Sequence, residues 1–329
     1  MSAQSHCVIR LIVPAPACGT ARSVALFHRD REAGSNDADC QADLLTGAGA
    51  ERLRIMDKSL FGFSYWSGDF DSARQNAVRG VQTWRSGRVR LQAEEVDAPA
   101  VPCLCIRALS EWHLGENATC QTTMAEAISL AKSLNDKHAL AVAIWHAAVL
   151  GYLQRRTAEV DRLASALIEF STRQNFALWL TGGAVLRGWA RTVSGDTDEG
   201  LRWIEDGLAD LRASGVTLFL QLYLGLKAEA LHLADRTPEA LEAIREAEAL
   251  IERFGARSVC AELHRLRGVF LSAIGTEETE IEASFCAAIR TAKEQKSVSL
   301  KKRAEATYAE YRRQKASGSG GRGFRLPLW

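Results

Sequence analysis

A register of 40 residues runs through this chain and restricts it to a stack of small repeating units. Asn135, Asn175, Gly215 and Gly255 stand 40 apart, and they are the residue types that best tolerate the left-handed conformation closing a helix. Ala108, Ala148, Gly188, Ala228 and Gly268 form a second column on the same period, every side chain small. Gly115, Gly195 and Gly275 form a third, with Arg155 and Asp235 filling its other slots. Columns that share one period mark a repeat architecture, in which each unit buries its apolar face only against its neighbours. The fold expected is therefore all-α, a right-handed superhelix of antiparallel helix pairs with a repeat of about 40 residues. Such an array is a binding surface first.

The helix pairs follow from the apolar spacing and the turn residues. A first pair is expected over 53–66 and 71–85, with Gly68-Asp69 as its turn. Further pairs run 100–114/118–134, 137–153/157–174, 176–193/197–214, 217–234/237–254 and 257–274/277–295, and an unpaired helix covers 298–315. Within second helices, Leu201, Ile204, Leu208 and Leu211 recur at helical spacing, echoed by Leu241, Ile244 and Ile251, so each has one apolar face. Thr197 and Thr237 are read as N-caps, with acid in the first turn and Pro238 at the first helical position. Three regions result: an atypical or loosely ordered segment 1–50, the array 51–315, and a Gly/Ser-rich tail 316–329 with an apolar end.

Inside a unit the spacing resembles the tetratricopeptide repeat. Seven residues separate the small column from the turn glycine (Gly188 to Gly195, Gly268 to Gly275). Another small slot follows five further on (Gly200, Ala240), then a large apolar residue (Ile204, Ile244) and a small one (Gly207, Ala247). The period is longer than that repeat's usual length, and Arg187, Lys227 and Arg267 stand where leucine is usual. The strings Phe176-Ala-Leu-Trp179, Leu186-Arg-Gly-Trp-Ala190, Leu226-Lys-Ala-Glu-Ala230 and Ala261-Glu-Leu-His-Arg-Leu-Arg-Gly268 narrow the resemblance. They are similar to the helical C-terminal region of multidomain bacterial signalling proteins. In those, a class III adenylate/guanylate cyclase or a winged-helix regulator is fused to a STAND-type ATPase ahead of a TPR-like array. The resemblance implies a sensor or recruitment module that regulates a linked or partner cyclase or ATPase. It also admits the alternative that the chain carries a cyclase or regulator name through longer relatives.

The residues present carry no catalytic constellation. There is no GxxxxGK[ST] phosphate loop, and no strand-alternating segments on which a cyclase core could be built. Gly182-Gly183 lies within a helix and reads as close helix packing. Cys103, Cys105 and His113 lack a fourth ligand at zinc spacing, and His146, His232 and His264 are isolated, each read as a partly buried ring with a satisfied polar tip. No metal and no cofactor is implied, and the chain is read as a non-enzyme.

Forty-one basic and 40 acidic residues nearly cancel, so no overall field draws the chain to nucleic acid or to an anionic membrane. The eight cysteines form no regular framework and suit a reducing compartment. Val8–Cys18 is apolar but carries Arg10 and two prolines without a basic leader. A cytoplasmic protein with a protein or peptide partner is expected. Candidate binding groups are a cationic ladder (Arg107, Arg187, Lys227, Arg267), groove aromatics (Trp145, Tyr152, Trp179) and a docking tail (Phe324, Leu326, Leu328, Trp329). The basic run Lys293–Lys315 reads as a solvated helix face.

Overall fold

A computed structural model describes residues 62–86, 98–217 and 219–317. The segment 1–50 and the candidate tail residues Phe324, Leu326, Leu328 and Trp329 lie outside them. Residues 62–67 are helical and turn at Gly68, in the left-handed region at φ +90°, into α1 (Phe70–Arg85). Asp69 caps α1 by accepting the Ser72 N–H at 3.1 Å. There follow α2 (Ala100–His113) and α3 (Asn117–Ser133), α4 (Lys137–Leu153) and α5 (Thr157–Gln174), and α6 (Ala177–Val193) and α7 (Thr197–Ala213). After them come α8 (Leu220–Leu233) and α9 (Thr237–Phe254), α10 (Cys260–Ile274) and α11 (Glu278–Glu294), and the unpaired α12 (Val298–Ala316). No strand occurs among the described residues.

The helix-closing columns are conformational. Asn135, Asn175, Gly215 and Gly255 all have φ between +51° and +72°. In the companion slot Gly115, Gly195 and Gly275 are left-handed, and so are Arg155 (φ +61°) and Asp235 (φ +59°), where a Cβ makes that conformation costly. The repeat imposes the turn even where the sequence supplies no glycine. The small column sets the distance between paired helices. A Cβ on Gly188 would come within 2.5 Å of the Gly200 carbonyl oxygen and 2.8 Å of Ile204, and one on Gly268 within 2.7 Å of the Phe285 ring. At Gly188 the missing side chain lets two backbones approach, and at Gly268 it makes room for a ring.

The two threonines are not N-caps. Thr197 and Thr237 are the first helical residues, preceded by Asp196 and Arg236 as caps. The Thr237 hydroxyl pairs with His232 Nδ1 at 2.9 Å, so it is engaged with the preceding helix of its pair.

Helices fall into two layers by how much of their girth is covered. In α5, α7 and α9 one stripe is buried and the rest is solvated, whereas α4 and α8 are buried along almost their whole length. An all-round apolar sequence such as that of α4 belongs inside. The inner helices α2, α4, α6, α8 and α10 each touch the next, and α12, which buries a single stripe, continues their row and touches both α10 and α2. The array therefore turns through a full circle and closes on itself.

Candidate functional site at the axis of the array

The closing contacts join segments far apart in sequence. Ser297 caps α12 by accepting the Leu300 N–H, and its hydroxyl pairs with His113 Nδ1 at 3.0 Å. The Ser299 hydroxyl donates to the Trp112 carbonyl at 2.6 Å, and Lys296 Nζ lies 3.5 Å from Asp71. The His113 ring stacks on Phe70 with centroids 3.6 Å apart. Burial, reinforced by the nearby Arg303 charge and opposed by Glu262, holds this imidazole well below its usual pKa and therefore neutral.

Tyr65 and Trp66 enter the axial space at one end. The Trp66 ring lies 5.0 Å from Phe219, and the Trp66 carbonyl accepts the Ser258 N–H at 3.0 Å. With Val149, Gln221, Leu263 and Leu300 these two residues line a cavity of about 20 Å³, room for about one water molecule. The Phe219 ring also lies 4.4 Å from Trp145, and the residue holds a left-handed φ of +73°, an outlier for so bulky a side chain. Trp145 donates to the Tyr223 hydroxyl at 2.9 Å, and Gly182 leaves space for that bond: a Cβ there would stand 2.8 Å from the Trp145 indole nitrogen.

Deeper along the axis, the six inner helices converge on one buried cluster of charges. Arg155, at the end of α4, donates to Glu229 of α8 and to Glu262 of α10, both at 2.5 Å. Glu229 also accepts from the Tyr152 hydroxyl at 2.7 Å and the Trp189 indole at 3.2 Å. Glu262 takes a two-pronged contact from Arg265 at 2.7 and 3.2 Å, and Arg265 donates onward to Thr307. Arg303 of α12 donates to the Leu153 carbonyl, approaches Glu262 at 3.4 Å, and lies over the Trp112 ring of α2 at 5.5 Å. Burial would raise the Glu262 carboxyl, but Arg265, Arg303 and Arg155 outweigh it and hold the group far below the carboxylate range. Burial likewise opposes the charge on Arg155, and Glu229, Tyr152 and Glu262 reverse it.

The predicted site residues that are described all stand on inner helices, but in separate places. Trp145 and Trp179 stand together, ring centroids 5.9 Å apart, and Trp179 donates to His138 at 2.9 Å. Tyr152 lies apart from them, against Trp189 in the charge cluster. All three aromatics are buried. Of the ladder, Arg187, Lys227 and Arg267 each face a carboxylate of the preceding outer helix: Asp161 at 3.6 Å, Glu205 at 3.5 Å and Glu248 at 3.2 Å. Arg107 pairs within its own helix with Glu111 at 2.7 Å. Arg187 also covers the Trp203 ring at 4.7 Å, at the edge of a cleft lined by Thr181, Ala184 and Asp206. In the basic run 293–315, Arg303 departs from a solvated face and turns to the axis. His146 is buried and bonded to the Val142 carbonyl, and Cys286 is exposed.

Sequence reading missed the axial cluster. Its signal was available: Arg155 breaks a glycine column, while Glu229, Glu262 and Arg265 fall among the apolar residues of α8 and α10. No group of three or more His, Cys, Asp or Glu residues suited to a metal stands together among the described residues, and none of their helices is long and apolar enough to cross a membrane.

No protein-family model matches the chain. An uncharacterised protein of Rhizobium meliloti (strain 1021) is 24% identical over 252 residues, which are 74% of this chain and 24% of that protein. The chain thus spans about a quarter of the length of the curated relative it matches. Among solved structures, Bacillus thuringiensis PlcR in complex with the peptide PapR7 and DNA superposes with a TM-score of 0.51 at 13% identity, covering 78% of this chain and 98% of that one. The Rap conjugation gene regulator of the plasmid pLS20, in complex with the Phr* peptide, gives 0.54 at 12% identity, covering 90% and 83%. At these identities the likeness is one of fold, and the fold is a TPR-like helical array.

Proposed function

We propose that this chain is a non-catalytic regulatory module that binds a protein or peptide through its helical array. The observation that carries this reading is the fold itself: two solved arrays of similar fold are each in complex with a peptide. The sequence supports it from the other side, since it contains neither a phosphate loop nor a cyclase core. In a longer chain, as the length of the Rhizobium relative suggests, the module acts on a linked or partner cyclase or ATPase domain. Binding shifts the array between two shapes, and the ligand's preference for one of them sets the size of the response. Trp145 and Trp179, with Tyr152 nearer the charge cluster, are the aromatic anchors for such a ligand. The ladder Arg107, Arg187, Lys227 and Arg267 and the tail Phe324, Leu326, Leu328 and Trp329 are the further docking elements. The chain's near-neutral charge gives no electrostatic footprint for nucleic acid. A reducing, cytoplasmic setting fits its cysteine usage.

The test uses the purified 329-residue chain. A random-peptide display library is selected on it, and enriched peptides are titrated by calorimetry beside assays for ATP turnover to cyclic AMP and for nucleotide binding. The proposal expects saturable peptide binding weakened by Trp179→Ala, and no turnover. Cyclic AMP production by this chain would overturn it, as would a library that yields no saturable binder.

A further inference from the structure

The three aromatic anchors assigned to the ligand are buried, Trp145 completely, so a peptide reaches them only after something has moved. The neighbouring rings identify what moves. Phe219 packs on Trp145 and Trp66 packs on Phe219, with ring centroids 4.4 and 5.0 Å apart. Tyr152 lines the same axial cavity as Tyr65 and Trp66. We propose that Tyr65 and Trp66 are an internal ligand of the axial groove, and that the peptide bound by this array carries adjacent aromatic residues that take their place. This rests on the peptide-binding reading above and names the ligand's chemistry and its competitor.

The pair is seated by few polar contacts. The Trp66 carbonyl accepts the Ser258 N–H at 3.0 Å, and the Tyr65 hydroxyl lies 3.4 Å from His113 Nε2. It leads directly into the turn at Gly68, whose φ of +90° suits glycine and where a Cβ would collide with the Gln295 side-chain amide. The seated position therefore depends on that one residue. The wall around the pair is incompletely satisfied. Gln221 Nε2 and Ser258 Oγ belong to buried residues that line the cavity, and among the described residues neither atom has a hydrogen-bond partner. A buried polar group left unpaired is costly. Phe219 is held at φ +73°, which a bulky side chain adopts only under strain. The internal pair thus fills the apolar part of the groove while leaving polar capacity and strain in its wall. A peptide adds main-chain donors and acceptors that can pair with Gln221 and Ser258, and a shift of Phe219 on exchange relieves its backbone. Permanent core would gain nothing from exchange.

The test selects a random-peptide library on the full 329-residue chain and on its Tyr65→Ala/Trp66→Ala variant, then titrates the enriched peptides against both. They should carry adjacent aromatic residues. They should bind the variant about tenfold or more tightly than the unaltered chain, the factor expected of an occupant that fills the groove more than about nine-tenths of the time. Gly68→Ala unseats the pair without altering a lining residue and should also tighten binding, by a smaller factor; it decides the matter where the double variant does not fold. Phe63→Ala, on the same helix with its side chain exposed, should leave affinity unchanged. Equal or weaker binding to a folded variant would overturn the inference and leave peptide binding standing. Enriched peptides without adjacent aromatics would overturn the ligand assigned. No saturable binder on the chain or on any folded variant would overturn both this inference and the reading beneath it.

Discussion

Two sets of cations in this molecule use the same side chains to opposite ends. The outer ladder places Arg187, Lys227 and Arg267 on successive inner helices, each facing one carboxylate of the preceding outer helix across 3.2 to 3.6 Å. Their side chains are a quarter to nearly half exposed, so water and salt screen each pair and its net contribution is small. The axial set, Arg155, Arg265 and Arg303, is gathered from three inner helices onto two carboxylates in a nearly dry centre. There each charge depends on its partners, because removing one strands another in a low dielectric. Repetition spreads the ladder evenly along the array. Closure of the circle makes the cluster, which is why it has no period.

The largest expected difference between the two regions is in stability. Glu262→Ala leaves three guanidiniums facing one carboxylate and should destabilise the chain by about 3–5 kcal/mol, measured as a shift in the urea midpoint at unchanged slope. A loss below about 1 kcal/mol would mean that solvent already enters the cluster. The pH profile comes next. Burial, opposed by the bond to the Val142 carbonyl, lowers the His146 pKa to about 4, and His113 is also well below its ordinary value. Unfolded imidazoles titrate near 6.5, so between those values the unfolded chain binds more protons than the folded one. The stability these groups contribute is therefore whole above about pH 6.5 and falls as the pH drops toward 4, by up to about 1.4 kcal/mol per pH unit for each histidine. Glu262, held ionised by its three arginines, extends the loss below the usual carboxylate range. Urea titrations at pH 7, 5.5 and 4.5 read this directly, and a flat profile would contradict the buried, neutral imidazoles. Smallest is the ladder. Arg187→Ala and Arg267→Ala should each cost no more than about 1 kcal/mol, the former at the upper end because Arg187 also covers Trp203. A larger loss at Arg267 would erase the distinction between the two sets.

Much of the fold was legible because a repeat states each structural requirement several times. The column at 135–255 announced left-handed turns and its backbone angles agree; the column at 115–275 proved left-handed as well, even at Arg155 and Asp235. The bounds of the helices from α1 onward followed within a few residues, and the small column proved to be a point of backbone approach at Gly188 and a socket for the Phe285 ring at Gly268. The threonines were misplaced by one position because N-cap chemistry was assigned to a hydroxyl that, at Thr237, serves its neighbour His232. Closure was not legible. It depends on the small rotation between successive pairs, which no single repeat encodes, and on single residues such as His113, Ser297 and Arg303 that occur once. Arg303 lay hidden in a basic run for the same reason: sequence shows its charge, and only the completed circle shows which way it faces. Of the three aromatics grouped for a groove, Trp145 and Trp179 have ring centroids 5.9 Å apart, whereas Tyr152, three positions before Arg155, lies with the charges.

The claim on which the rest depends is that the array closes, bringing α12 back to the beginning of the described chain. Lys296 Nζ and the Asp71 carboxylate are 3.5 Å apart, although most of the array separates them in sequence. A zero-length carbodiimide cross-link, mapped by mass spectrometry on monomer separated from any oligomer, measures that proximity without a spacer. The closed array predicts a Lys296–Asp71 bond formed together with the local Lys301–Glu305 and Lys227–Glu205 pairs. Local pairs that link while Lys296 and Asp71 do not would describe an open superhelix, and the axial cluster would then lose the circle that assembles it.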